Sequence, residues 1–129
     1  MKKTFTLIAI ICFCISVANA QLANTKWSGT ANLLQPDKSF VTANITWDFG
    51  KDTLYVLFAG GGQSEVLTYT IKKNIITVTK VSGASPCETG TEGKLKYEIK
   101  DDKLFLAVVE TKCEAFTKAL DDKPYIKLK

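Results

Sequence analysis

Between residues 40 and 49 the chain alternates without a break. Val41, Ala43, Ile45, Trp47 and Phe49 share one parity, and Thr42, Asn44, Thr46 and Asp48 the other. A period of two marks a strand with one buried face. The same pattern recurs down the chain. Leu54, Val56 and Phe58 alternate over 53–59, and Leu67, Tyr69 and Ile71 alternate with Thr68 and Thr70 over 65–72. The run 75–81 is rich in β-branched residues, which suit a pleated surface. Over 94–100 and 103–110, Leu95, Tyr97 and Ile99 match Leu104, Leu106 and Val108. A first strand is predicted over 27–34 after a polar lead-in at 21–26, and a last short one over 125–128. The one predicted helix, 114–120, has Ala115, Phe116, Ala119 and Leu120 as its apolar positions.

Turn residues separate these runs. Pro36-Asp37 sits in the first connection, Gly50-Lys51-Asp52 in the second, and Asp101-Asp102 between the paired runs at 94–110. At Lys73-Asn74 the asparagine is expected to take the left-handed conformation. Eight short strands with turn signals indicate an all-β barrel or sandwich, and successive short hairpins favour up-and-down order. Closing the sheet also removes its exposed edges. The expected fold is an eight-stranded up-and-down antiparallel barrel with one short helix before the last strand.

The first twenty residues read differently. Lys2-Lys3 precedes an apolar run over 6–17, and Ala18-Asn19-Ala20 forms an A-x-A cleavage signal. The run is shorter than the roughly 20 apolar residues that cross a bilayer. Residues 1–20 are therefore expected to be a signal peptide. The barrel domain is expected over 21–129, with export to the periplasm or beyond and no membrane span in the mature chain. Cys12 and Cys14 leave with the leader, and Ile11 and Phe13 are too large for the position before a lipidated cysteine.

Two cysteines remain, Cys87 and Cys113, flanking the hairpin at 94–110. In an oxidising compartment an even count reads as a disulfide. Two isolated thiols make a poor zinc site, and a nucleophilic thiol needs a base beside it. Closing a loop of about 26 residues would stabilise the fold by about 3.5 kcal/mol on the chain-entropy account.

Composition narrows the chemistry. Without Lys2 and Lys3 the 17 basic residues become 15 against 13 acidic ones, and the two signs are interspersed. Nucleic-acid binders concentrate basic charge on one face, so none is expected as a partner. All the basic residues are lysine, and there is no histidine. Bidentate guanidinium clamps and the usual proton shuttle near neutral pH are both missing. No catalytic residues, metal or cofactor are expected. Gly60-Gly61-Gly62 lacks the following helix and lysine of a phosphate cradle, and reads as a loop tip. Asp101-Asp102 and Asp121-Asp122 read as turn residues, since neither fits a calcium loop.

Short motifs carry a family resemblance. Trp27 and Gly29 make a W-x-G start, Phe49, Lys51, Asp52, Thr53 and Leu54 an F-x-K-D-T-L run, and Cys87, Gly93, Leu104 and Cys113 a late C…G…L…C arrangement. Together they resemble the lipocalins and the wider calycin group, above all the short lipocalin-like proteins that bacteria export. Thr25 stands where lipocalins carry glycine, and with no arginine to cover the tryptophan, Lys118 and Lys127 are the candidates. The resemblance implies a cavity for a small hydrophobic molecule. Candidate lining residues are Trp47, Phe58, Tyr69, Tyr97 and Leu106; the competing reading is that these side chains fill the barrel. Phe105, Ala107 and Val109 fall on the opposite face, a stripe for the helix or a protein partner to cover. The alternative function is thus a packed barrel acting as a protein-interaction or inhibitor module.

Overall fold

The computed structural model describes residues 21–59 and 65–129. The expected leader and the Gly60-Gly61-Gly62 tip lie outside the described residues. The strands are β1 (Thr25–Leu34), β2 (Phe40–Phe49), β3 (Thr53–Phe58), β4 (Glu65–Lys72), β5 (Ile75–Ser82), β6 (Glu92–Lys100), β7 (Lys103–Thr111) and β8 (Tyr125–Leu128), with helix α1 (Glu114–Thr117) before β8. Each strand pairs antiparallel with the next, and β8 returns to β1 to close the barrel. The up-and-down barrel is as the alternation indicates.

Period-two burial organises the core. Ile45, Trp47 and Phe49 point inward on β2, beside Leu54 and Val56 on β3 and Leu67 and Tyr69 on β4. Across the barrel stand Leu95, Tyr97, Leu104 and Leu106. Burying these faces is the main drive for closure. The barrel's two ends differ. One end is packed: Trp27, Phe49, Leu54, Leu104 and Tyr125 are each at most 1% exposed. Phe49 meets Tyr69 edge-on at 5.3 Å, and Trp47 meets Tyr125 edge-on at 5.8 Å. Trp27 donates its indole N–H to Thr25 Oγ1 at 2.8 Å. Of the two candidate lysines, Lys127 is the one over Trp27, with Nζ 5.9 Å from the ring, and Lys118 lies over Phe40 instead.

Four local expectations shift. Leu22, in the supposedly polar lead-in, is fully buried and joins the core, held by a turn in which Thr25 N–H donates to Leu22 O at 3.1 Å. Val41 is 50% exposed although it shares Trp47's parity, because it lies near the strand end, away from the packed half. At the β4–β5 turn Lys73, not Asn74, takes the positive φ, at 58°. The helix stops at Thr117, because the backbone that follows turns to β1, where Asn32 N–H donates to Ala119 O at 2.8 Å. A single turn with no side-chain cap at Cys113 has little stability of its own.

Candidate functional site

The other end of the barrel is not filled. The end of β1, the starts of β4 and β6 and the end of β5 surround a cavity of about 260 Å³. Trp47 lies at its floor, with Val56, Phe58, Leu67 and Val78 on the walls and Ala115, Phe116, Ala119 and Leu120 above them. The apolar positions expected for the helix are thus the roof of a cavity.

The roof is pinned at both ends. Cys87 and Cys113 form a disulfide, with Cα atoms 5.6 Å apart, tying the β5–β6 connection to the start of α1. Beyond α1, Ala119 accepts the Asn32 backbone N–H, and Thr30 Oγ1 donates to Asp121 Oδ2 at 2.6 Å. Gly93 seats the roof closely: a Cβ there would lie 2.3 Å from the Phe116 ring.

One wall carries a buried ion pair. Lys80 and Glu65 are 6% and 8% exposed, with Lys80 Nζ 3.3 Å from Glu65 Oε1. Leu67, next inward on β4 after Glu65, is the register partner of Lys80 on β5, beside a bulge between Val66 and Leu67. The ammonium also donates to Cys87 O at 2.6 Å, Ser85 O at 2.8 Å and Ser85 Oγ at 3.1 Å. Glu65 accepts the Ser85 N–H at 3.2 Å and the Ser85 hydroxyl. A buried charge is tolerable only when paired and hydrogen-bonded in this way. The chain can wrap so tightly because residue 83 is glycine. Its φ is +135°, and a Cβ there would lie 2.2 Å from Glu65 Oε2. The pair therefore anchors the 83–87 segment, and through Cys87 the roof.

The proposed lining residues divide. Trp47 and Phe58 line the cavity; Tyr69, Tyr97 and Leu106 lie outside its lining, buried in the core. Tyr69 donates its hydroxyl to Gly50 O at 2.5 Å, across the β2–β3 turn of the packed end. Burial, aided by the Asp52 charge, raises its pKa. Burial also raises the pKa of Tyr97. Tyr125, which donates to Thr30 O at 2.9 Å, is pushed up to about 12 by burial. The nearby Trp47 indole opposes this, and the Asp121 charge adds to it. Trp47 Nε1 itself is buried without a hydrogen-bond partner among the described residues.

The sequence reading missed Glu65 and Lys80, although parity marks both. Glu65 shares its face with Leu67 and Tyr69, and Lys80 with Ile76 and Val78. No group of three His, Cys, Asp or Glu among the described residues could hold a metal ion. No described helix is long and apolar enough to cross a membrane.

Fold and site together define a class: a small closed antiparallel barrel, packed at one end and holding a roofed apolar cavity at the other. Comparison with protein-family models, curated proteins and solved structures finds no match.

Proposed function

We propose that this chain is an exported, lipocalin-like binding protein that takes a small hydrophobic molecule into the cavity beneath α1. The observation that carries the reading is the division of the barrel: the end holding Trp27 and Tyr125 is filled, and the end holding Phe58 and Phe116 is not. The core around Trp27, Phe49 and Tyr125 is packed, whereas a cavity of about 260 Å³ among the described residues leaves its lining short of van der Waals partners that a ligand would supply. The volume falls near the lower end of the roughly 300–1,000 Å³ usual for ligand pockets, which favours a compact molecule. The leader-like residues 1–20 and the Cys87–Cys113 bond support export.

The test uses Trp47 as reporter. A Trp27→Phe variant leaves Trp47 as the only indole, and its emission should shift as the neutral probe N-phenylnaphthylamine is added. Ala31→Phe, placed on the lining, should abolish the shift. An unchanged spectrum up to the probe's solubility limit would remove the carrier reading.

A second reading rests on a different surface. Phe105, Ala107 and Val109 face outward and stay uncovered by α1, with Phe105 39% and Val109 57% exposed. Ile126 and Leu128 are exposed on the adjoining strand. Such a stripe suits a protein partner. A sedimentation coefficient that falls at high concentration on Phe105→Ser and Val109→Ser would favour it; an unchanged monomer would not.

A further inference from the structure

The charged groups around the cavity bear on what the ligand can carry. Among the described residues, the only charged ones in the lining are Glu65, Lys80 and Glu92. Lys80 is the one cation among them, and its three hydrogens are matched by protein acceptors. An ammonium has three N–H donors, and here it faces four protein acceptors within 3.3 Å: Ser85 O, Ser85 Oγ, Cys87 O and Glu65 Oε1. Both Glu65 oxygens in turn receive donors from Ser85. The pair cancels its own charge, and Glu92, exposed at the rim, leaves the lining with a net negative charge.

We propose that the cavity selects an electrically neutral ligand and rejects carboxylate-tipped molecules such as fatty acids. The inference rests on the binding function proposed above. A carboxylate entering the cavity would lose its water and find only neutral donors, such as the Asn32 and Gln35 amides, to balance its charge, unless it pulled Lys80 away from Glu65 and from the backbone that holds the roof. It would also meet the field of Glu92. A cationic tip would gain Glu92 only in water at the rim, where an ion pair contributes little, and deeper in it would meet Lys80. A neutral hydrophobe, or one carrying an ester or ether, displaces nothing. In this site Lys80 positions the wall and is not a ligand anchor.

The test is calorimetric titration at neutral pH with three compounds of one skeleton: methyl cinnamate, cinnamate and protonated cinnamylamine. The ester should bind at least about ten-fold more tightly than either ion, the penalty for burying an uncompensated charge. An ion that binds as tightly as the ester overturns the inference. Failure of all three to bind removes the carrier reading itself, and the inference with it. The cause is tested separately with Glu65→Gln, which keeps the side chain's size but takes the countercharge from Lys80. Cinnamate affinity should then rise several-fold while the ester gains nothing comparable. If cinnamate gains nothing in a folded Glu65→Gln protein, saturation of Lys80 is not the reason for selection and the inference fails. If that variant does not fold, the three-compound comparison decides alone.

Discussion

Replacing Lys80 by methionine should cost the barrel about 3–5 kcal/mol, the usual loss when one partner of a buried ion pair is removed. The structure supports the upper part of that range. Methionine fills nearly the same volume, so little of the loss is packing. What remains is a Glu65 carboxylate, 8% exposed, whose remaining donors among the described residues are the Ser85 N–H and hydroxyl. The carbonyls of Ser85 and Cys87 lose their donor as well. The reverse change, Glu65→Leu, should cost less, about 2–3 kcal/mol, on the scale of a hydrogen bond to a charged group. The ammonium keeps three neutral acceptors in Ser85 O, Ser85 Oγ and Cys87 O. The double variant should return to within about 2 kcal/mol of the parent, since an apolar pair carries no desolvation cost. The assay is urea unfolding of the oxidised protein, followed by the emission of Trp27 and Trp47, both buried in the native barrel. A Lys80→Met loss below about 1 kcal/mol, with a double variant no better than the single one, would refute the reasoning. The pair would then be solvated rather than walled into the barrel.

Other parts of the molecule give independent checks. Exchanging Cys87 and Cys113 for alanine should lower stability by about 3.5 kcal/mol, from the 26-residue separation of the bridge, measured by the same urea titration. Mass spectrometry without reductant should find no free thiol at either position. Tyr125 ionises near 10 in the unfolded chain and near 12 in the fold, so folding favours its neutral form. That contribution is whole below pH 10 and is lost as pH rises from 10 to 12, up to about 3 kcal/mol in all. Tyr125→Phe should flatten that part of the stability–pH curve, and an unchanged slope would contradict the burial of the hydroxyl. Gly93→Ala forces the Phe116 ring to move and should cost about 1–3 kcal/mol by overpacking. Its thermal midpoint should fall, and binding of N-phenylnaphthylamine should weaken with it.

The barrel was legible because its strands are amphipathic. Ile45, Trp47 and Phe49 declare the inward face of β2 with no help from neighbours, and Leu104 and Leu106 do the same for β7. Height along the axis was not legible. Alternation separates inside from outside, but the level a residue occupies depends on strand tilt and stagger. That is why Trp47 and Phe58 reach the cavity while Tyr69, Tyr97 and Leu106, equally apolar and equally inward, sit away from it. Glu65 and Lys80 show a second limit. Parity points both inward, but a single buried charge is costly, so each taken alone argues against its own burial. The pairing that makes both tolerable depends on register, including the bulge at Val66 and Leu67. Leu22 shows a third, since one apolar residue in a short polar segment has no period to betray it.

The cylinder is shut by a short seam. β8 meets β1 at three register pairs, Lys26 with Leu128, Trp27 with Lys127 and Ser28 with Ile126, and meets β7 at only two. The contacts with β1 join residues about a hundred positions apart, so the first and last strands must find each other across nearly the whole barrel. Clipping the last few residues would unlatch the wall and leave β1 and β7 with bare rows of amide and carbonyl groups. Two molecules in that state hold matching docking edges, and a protein trimmed there would be expected to polymerise strand by strand rather than fold alone.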